Sequence, residues 1–308
     1  MATQPIAALP RGRLSDTLRQ TLGRIPLHFV IVATCLLWSI PTIALIVSSF
    51  RDPAAIASSG WWNALFDPTQ WTLTNYDNVL NARGMTDAFI NSLIITIPST
   101  LFVILISSFA AYAFAWMNFP FRNPIFLIVV ALLVVPLQMA LIPILRLYTT
   151  VTIEGSIPII GGNVFGVGSF PGLWIAHTAY GLPFAIFLLR NFFGGLPREL
   201  FESAHLDGAS DLTIFFRIVL PLSVPAMAAL AIFQFLWVWQ DLLLALVLLN
   251  DPQLNPMTVQ ISSLVNSFGT NYQVLTAAAF ISMVVPLGIF FALQRYFVEG
   301  ILAGSVKG

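Results

Sequence analysis

The segment "ELFESAHLDGASDLTIFFRIVLP" (199–221) gathers acidic residues within an otherwise apolar chain. Its first thirteen positions hold four of the thirteen acidic residues in the 308-residue sequence, namely Glu199, Glu202, Asp207 and Asp211. Only 8% of the chain is charged and 58% is hydrophobic, whereas about 25% of the residues in a soluble domain are charged. Because so few charges cannot cover a soluble fold of this length, the composition indicates an integral membrane protein. The net charge of zero gives no sign of a nucleic-acid partner.

Long uncharged stretches predict the transmembrane helices. A membrane-spanning helix needs about 20 mostly apolar residues. Six segments qualify. The first, second, fourth and sixth lie at about 27–50, 89–117, 171–190 and 273–294. The third lies between Arg122 and Arg146, and the fifth lies between Arg217 and Asp251, with Asp241 as the only charge in between. We therefore expect an all-α polytopic membrane protein with a six-helix domain over 27–294, an N-terminal tail of 1–26 and a C-terminal tail of 295–308.

The distribution of Arg and Lys predicts the orientation in the membrane. Ten of the thirteen basic residues fall in the two tails and in the connections after the second and fourth spans. Since positive charge marks the cytoplasmic side, both tails and the loop 191–222 are predicted to be cytoplasmic. The protein is then a multi-pass component of the cell (plasma or inner) membrane. On the opposite side, the loop 154–172 holds six glycines and is expected to be irregular.

The loop 191–222 has the signals of two short helices. Pro197 and Glu199 suit the first turn of a helix, where the dipole favours acidic side chains. Gly208 suits the left-handed position that ends it, and Ser210 suits the cap of a second helix. The pattern predicts a helix, a tight turn and a helix lying along the membrane surface. From the residues alone, this element is either a docking knob for a soluble partner or a solvated linker between two spans.

The spacing within this loop resembles a known motif. Glu202-Ser203-Ala204, three residues, Gly208, nine residues and then Ile218-Val219-Leu220-Pro221 is similar to the EAA loop of binding-protein-dependent ABC importers. Ser203 stands where that family has its first Ala, a small-for-small change. Three further segments resemble the carbohydrate-importing subfamily, at 90–123, 135–148 and 297–308. The last of these is similar to the C-terminal signature of the smaller permease subunit of maltose-type systems.

This resemblance implies the type I ABC importer permease fold with a cytoplasmic coupling helix. It also implies a permease subunit that imports a carbohydrate, such as a di- or oligosaccharide. The implied partners are a second permease subunit, homodimeric ATPase subunits and an extracytoplasmic solute-binding protein. The chain has no G-x-x-x-x-G-K-[ST] motif, so it is expected to be no enzyme and to bind no cofactor itself. ATP and Mg²⁺ are expected on the ATPase subunits.

The resemblance also assigns roles to residues. Those implied to couple the permease to the ATPase are Glu199, Glu202, Ser203, Ala204, Asp207, Gly208, Ala209, Leu220 and Pro221. Those implied to contact the ATPase from the C-terminal tail are Gly304, Val306, Lys307 and Gly308.

Three polar residues within the spans are candidates for a translocation pathway. Asp241 is ionisable and lies near the outer end of the fifth span, which makes it a functional candidate by default. Gln234 lies seven positions earlier, on the same helical face. These two residues, and Gln138 in the third span, either line a pathway or form interhelical hydrogen bonds that fix packing. His177 is expected to be a satisfied polar group, and His205 a solvated contact rather than a pH sensor. No metal site is predicted.

Two other functions compete with that of a permease subunit. A self-contained secondary transporter or channel for a small polar solute would place several ionisable residues within its spans, and only Asp241 does so here. A membrane-embedded enzyme would need clustered acids, histidines or a nucleophile. The acids of 199–211 have the spacing of helix turns rather than that of metal ligands.

The predicted topology can be tested with two single cysteines. In a chain whose lone cysteine, Cys35, is replaced by serine, a cysteine at Gly161 should react with an impermeant thiol reagent added outside. A cysteine at Ser203 should not react until the membrane is permeabilised. Equal labelling of both positions in intact cells would contradict the orientation.

Overall fold

The computed structural model describes residues 13–82, 84–150, 153–157, 161–267 and 272–305. Its helices are α1 (Arg13–Ser49), α2 (Pro53–Ser58), α3 (Thr74–Asp77), α4 (Met85–Trp116), α5 (Arg122–Ala131), α6 (Leu137–Thr150), α7 (Phe170–Phe193), α8 (Arg198–Leu206), α9 (Asp211–Ile214), α10 (Leu220–Leu222), α11 (Val224–Trp239), α12 (Leu243–Leu248), α13 (Met257–Ser267) and α14 (Tyr272–Ser305). A π-helical turn, Phe215–Val219, joins α9 to α10. This largely helical architecture confirms the predicted polytopic fold.

Four of the described helices are long and apolar enough to cross a membrane. They are Pro26–Ser49 within α1, α4, α7 and Tyr272–Arg295 within α14. The third and fifth predicted spans are broken instead. The chain bends by 103° between Arg122–Val134 and α6, and by 74° between Asp211–Leu222 and α11. The predicted count of six is reached if each bent pair forms one span.

Proline accounts for both bends. Val135 precedes Pro136 and is extended, with φ −72° and ψ 115°, because the ring of a proline disfavours the helical conformation in the residue before it. The second bend falls at Ser223, where Pro225 follows in the first turn of α11. Since Pro225 has no N–H to donate, it begins a helix more readily than it continues one.

A β-hairpin precedes α7, so the prediction of an irregular loop over 154–172 was wrong for its first part. Strands β1 (Ile153–Ile157) and β2 (Gly161–Phe165) pair antiparallel. The glycines that require unusual backbone angles come after the hairpin, because Gly166 and Gly168 have φ of 120° and 78°. These two residues turn the chain from β2 into α7. The glycine content of 154–172 predicted irregular backbone, which is present at Gly166 and Gly168. It gave no sign of the two strands before them.

Helices α4 and α7 pack against each other in parallel and form the centre of the fold. The indole of Trp174 donates a hydrogen bond of 2.8 Å to the carbonyl of Ile94. At the other end, the indole of Trp116 donates one of 2.9 Å to the carbonyl of Phe193. Small side chains bring membrane helices close together. Those buried on α4 are Ser92, Thr96, Ser99, Ser107, Ser108 and Ala111.

The remaining long helices surround this pair. Helix α11 contacts α4, α7 and α14, and α14 in turn contacts α1. The end of the bundle at Trp116 carries residues 197–223, which we call the knob. The end at Trp174 carries the β-hairpin, and we call it the hairpin end. Since α7 has 24 residues, these two ends are separated by about 36 Å of helix.

A buried arginine organises the chain where α1 ends, at the hairpin end. Arg51 is almost completely buried. Its guanidinium donates hydrogen bonds to Gln70 at 3.0 and 2.8 Å and to the carbonyls of Ser59 and Ala55 at 3.1 and 2.9 Å. Five donors in a planar fork let one arginine hold several acceptors at once. Arg51 therefore ties the segments after α1 into a compact cap.

Candidate coupling knob and membrane cleft

The knob has the helix–turn–helix conformation that its sequence predicts. Helix α8 begins after Pro197 and ends at Leu206, with Asp207 as its C-cap. The next helix, α9, begins after Ser210, whose hydroxyl accepts a hydrogen bond from the backbone N–H of Thr213 at 3.3 Å. Between them, Gly208 has φ +77°. The two helices are thus joined by a turn of four residues, 207–210.

The requirement for glycine at position 208 is conformational rather than steric. A Cβ built there would meet nothing within 4 Å. The positive φ is instead one that side-chain-bearing residues adopt poorly and that β-branched residues adopt worst. This conformation lets the N–H of Ala209 reach the carbonyl of Ala204 at 2.9 Å. Gly208 therefore fixes the direction in which the chain leaves α8.

The inner face of the knob is braced by the last two turns of α4. Phe201 of α8 is buried and stacks on Trp116, with ring centroids 3.6 Å apart and an interplanar angle of 17°. Tyr112 lies one turn before Trp116 on α4. Its ring is 5.4 Å from that of Phe215, and its hydroxyl donates to Asp211 at 3.5 Å. One helix thus holds both halves of the knob.

The acidic and apolar side chains on the outer face of the knob are exposed. Leu206 is 89% exposed. Glu202 pairs with Arg198 at 2.9 Å, but these side chains are 62% and 80% exposed, and such surface pairs contribute little stability. The Glu202 carboxylate is therefore free to exchange this partner for another.

The predicted coupling residues divide between the two faces. Those that are exposed are Glu199, Glu202, Ser203, Asp207, Gly208 and Pro221. Those that are partly buried against the core are Ala204, Ala209 and Leu220. The acidic members are thus exposed, whereas the small and apolar members seat the knob on the bundle.

His205 connects the two helices of the knob. Its Nδ1 lies 2.7 Å from the carbonyl of Phe201, and its Nε2 lies 3.5 Å from the carboxylate of Asp211. Both side chains of the second contact are about half exposed. The expected solvated contact is therefore a contact within the knob itself.

The predicted C-terminal contact residues lie mostly outside the described part of the chain. Gly304 falls in the last turn of α14. Val306, Lys307 and Gly308 lie outside the described residues. Their role stays a prediction.

A cleft opens near the middle of α7, far from the knob. It has about 730 Å³ of empty space, part of it open to the surface, and lies between α7, α11 and the bend before α6. Gln234 and Asp241 both line it, although α11 ends at Trp239, so Asp241 lies just beyond the helix rather than on its face. Gln138 is exposed on α6 and does not line it. Its neighbour Leu137 does, so the cleft passes one residue away from Gln138.

Gln234 lies against Gly181 in the wall of this cleft. A Cβ at Gly181 would lie 2.7 Å from Oε1 of Gln234 and 2.8 Å from its Nε2, so a side chain at position 181 would displace the amide from its present position. Gln234 is 3% exposed, and its Oε1 has no hydrogen-bond partner among the described residues. An unpaired buried acceptor costs about 1–3 kcal/mol. A buried acceptor that lacks a hydrogen-bond partner in the wall of a cleft is a candidate contact for a ligand.

The second polar group in the cleft is His177 with Asp241. Nε2 of His177 lies 3.8 Å from Oδ2 of Asp241, and both side chains are largely buried. The Asp241 carboxylate also accepts from the backbone N–H groups of Leu244 at 3.1 Å and Ala245 at 3.3 Å. It therefore caps the start of α12 where the chain breaks. In the described part of the chain, His, Cys, Asp and Glu form no cluster of three that could hold a metal ion.

Residues 103–302 match the family described as "Binding-protein-dependent transport system inner membrane component". The chain belongs to this family. The "Osmoprotective compounds uptake permease protein GgtD" of Synechocystis sp. is 50% identical over 96% of this chain and 97% of its own. The "Alpha-glucoside transport system permease protein AglG" of Rhizobium meliloti is 41% identical over 91% of this chain and 96% of its own. This membership identifies a membrane permease subunit of an ABC transporter, which is not itself catalytic.

A solved structure has a similar fold. It is a bacterial ABC transporter involved in the import of the acidic polysaccharide alginate. One of its chains matches 96% of this permease and 100% of its own length, with a TM-score of 0.70 and 18% sequence identity. At that identity the likeness concerns the fold alone.

Sequence reasoning missed the residues that hold the two sites in place. Tyr112 and Trp116 lie four positions apart at the end of the second span, a spacing that places them on one helical face. That signal is visible in the sequence, but their partners Phe201 and Asp211 lie far along the chain. Gly181 was also missed, because nothing local distinguishes it from other glycines in membrane helices.

The brace beneath the knob can be tested by removing one ring of the stack. Phe201→Ala should loosen α8, because deleting a buried phenylalanine costs about 3–5 kcal/mol. Amide hydrogen exchange at Gly208 and Ala209 in the purified permease should speed up, and trypsin should cut faster at Arg198.

Leu206→Ala is the matched control, since it deletes an equally apolar but exposed side chain of the same helix. Its exchange and cleavage should stay as in the unmodified permease. If the rates of amide exchange and of tryptic cleavage are the same in Phe201→Ala as in Leu206→Ala, the stack on Trp116 does not hold the knob.

Proposed function

We propose that this permease couples ATP hydrolysis by separate subunits to the import of a di- or oligosaccharide or a related glycoside. The observation that carries the coupling role is the knob. It is a compact element with an exposed acidic surface, and α4 holds it from beneath through Trp116 and Tyr112. A surface that is braced in this way can transmit a displacement to a transmembrane helix, whereas a solvated linker would absorb it.

The carbohydrate class rests on the relatives. One is named for the transport of alpha-glucosides and another for the uptake of osmoprotective compounds. Small polyhydroxylated solutes can satisfy both descriptions. The EAA-type spacing supports a binding-protein-dependent importer, and the similar segments at 90–123 and 135–148 support its carbohydrate-importing subfamily.

The proposed assembly has four kinds of component. A second permease subunit packs beside this one, and a homodimer of ATPase subunits binds the knob from the cytoplasm. An extracytoplasmic solute-binding protein delivers the sugar at the hairpin end. ATP and Mg²⁺ are bound by the ATPase subunits and not by this chain. Both termini are then cytoplasmic, and the tail residues Gly304, Val306, Lys307 and Gly308 reach the ATPase subunits.

The knob is suited to an ATPase groove by its chemistry. Glu199, Glu202 and Asp207 present exposed carboxylates, and the side chain of Leu206 is exposed as well. A groove that pairs a basic residue with Glu202 and covers Leu206 would bury a charged and an apolar contact side by side. Glu202 then exchanges Arg198 of its own helix for the partner's cation.

Gln234 and Asp241 lie on the proposed translocation pathway, since both line the cleft near the middle of α7. Gln138 is exposed on α6. It would reach the same pathway only at the surface where the second permease packs.

Two variants distinguish a coupling role of Glu202 from its role in the ion pair with Arg198. Glu202→Ala should weaken association with the ATPase or uncouple hydrolysis from transport, because truncating one partner of a desolvated charge pair costs roughly 2–5 kcal/mol. Arg198→Ala breaks the same intrachain pair but keeps the acid. Sugar uptake, ATPase activity stimulated by the binding protein and co-purification of the ATPase should fall only in the first variant. Equal behaviour of the two variants would argue against docking through Glu202.

The turn at Gly208 is tested by two substitutions that differ in backbone preference. Gly208→Val should uncouple transport, because a β-branched residue resists the positive φ. Gly208→Asn should keep most of the activity, because asparagine tolerates this conformation and a Cβ there meets no neighbour. The readouts are sugar uptake and stimulated ATPase activity at equal amounts of membrane-inserted protein. Normal activity of Gly208→Val would instead indicate that the loop is a solvated linker between two spans.

A further inference from the structure

The cleft beside α7 combines the features of a small-molecule site. It has about 730 Å³ of empty space, part of which is open to the surroundings. One part of its wall is apolar and is formed by Leu132, Leu133 and Val135 at the bend before α6. The facing part carries the polar side chains of α7 and α11. Ligand sites are commonly built in this way, with a few polar groups in an apolar surround.

The strongest pointer to a ligand is the amide of Gln234. It is buried, its Oε1 has no partner among the described residues, and it lines the cleft. Gly181 is the one position of α7 whose missing side chain makes room for this amide, since a Cβ there would lie 2.7–2.9 Å from its atoms. An interhelical hydrogen bond, the alternative role for Gln234, would have supplied Oε1 with a partner. A hydroxyl group of a bound solute can both donate to Oε1 and accept from Nε2 after a small rotation of the amide.

Aromatic rings lie next to this amide. Trp237 lines the cleft and is 60% exposed in the chain. Its position is supported by Phe184, with ring centroids 6.3 Å apart in an edge-on arrangement. Tyr180 lines the same cleft one residue before Gly181. A flat apolar ring beside hydrogen-bonding groups suits a sugar, which has an apolar C–H face and hydroxyls around its rim.

The charges that face the cleft select among sugars. Asp241 contributes a carboxylate and His177 an imidazole beside it. Among the described residues that line the cleft, none is Lys or Arg. A carboxylate-bearing sugar would therefore meet a like charge and no cation, whereas a neutral sugar meets no penalty of this kind.

We propose that this cleft is a sugar subsite that belongs to the permease itself and takes one ring of a neutral glycoside. The amide of Gln234 binds a ring hydroxyl, Trp237 covers the C–H face, and Asp241 with His177 lies beside the ring and disfavours acidic sugars. The subsite rests on the proposed function. It goes beyond it by making this chain a determinant of specificity, rather than only the relay between the ATPase and its partner permease.

The test uses the complete transporter, with its ATPase, second permease and binding protein, in proteoliposomes. The probes are radiolabelled maltose, trehalose and sucrose, three neutral α-glucosides. Gln234→Leu removes the amide at nearly equal volume, and Gly181→Ala displaces it. Gln240→Leu is the matched control, because Gln240 is exposed and does not line the cleft. Equal yields of purified complex show that the variants assemble.

The expected result is a loss of about tenfold in uptake of the preferred sugar in Gln234→Leu, since a site built around a hydroxyl contact discriminates by at least that factor. The order of preference among the three sugars should change as well, which a purely structural role of Gln234 would not produce. Gly181→Ala should show the same change in order. Gln240→Leu should behave as the unmodified transporter does, and ATPase activity stimulated by the binding protein should stay within about twofold in all three variants.

The outcomes separate this inference from the proposed function. Unchanged uptake and an unchanged order of preference in Gln234→Leu would overturn the subsite and leave the importer intact. Import of none of the three sugars by the unmodified transporter would overturn the carbohydrate function and the subsite together. Equal loss for all three sugars with collapse of ATPase activity would assign Gln234 a packing role and also overturn the subsite.

Discussion

Two tryptophan side chains fix α4 and α7 against each other at both ends of the bundle. The indole of Trp174 on α7 donates to a carbonyl of α4 near the hairpin end. The indole of Trp116 on α4 donates to a carbonyl of α7 near the knob. Each bond therefore opposes sliding of one helix along the other. Between the two bonds, small side chains on α4 allow close contact.

Both functional regions take their position from this pair. At one end, α4 presents Trp116 and Tyr112 to the two helices of the knob. Near the middle, α7 presents Gly181 to Gln234 and so opens one wall of the cleft. A displacement of the knob therefore acts on the same rigid pair that borders the cleft. Under the proposed function, this pair would connect a docked partner to a solute.

The interruption between helices α11 and α12 also contributes to the cleft. Backbone that leaves the helical conformation at membrane depth must satisfy its polar groups within the protein. Asp241 does so for the gap between α11 and α12, by accepting from two backbone N–H groups of the next helix. Its carboxylate also lies 3.8 Å from His177 in the cleft wall. One side chain thus closes a helix break and shapes a site.

The sequence by itself determined the membrane class, the approximate spans and the local conformation of the knob. These follow from short-range rules: the length of an apolar run, the proline before a helix, the serine that caps one and the glycine at positive φ. Gly208 and Ser210 behave in the structure as their residue types require. The β-hairpin was missed because a high glycine count outweighed two short β-prone runs that pair only with each other.

Only the tertiary structure decided which of these residues meet. Phe201 lies 85 positions after Trp116, and Gln234 lies 53 positions after Gly181, so no local pattern predicts that either pair is in contact. The structure also separated Gln138 from the cleft, although its sequence signal equals that of Gln234. The physical reason is that burial and contact depend on how whole helices cross and bend. The crossing angles are set by many small packing interactions spread along the chain, and only the two bends trace to individual prolines.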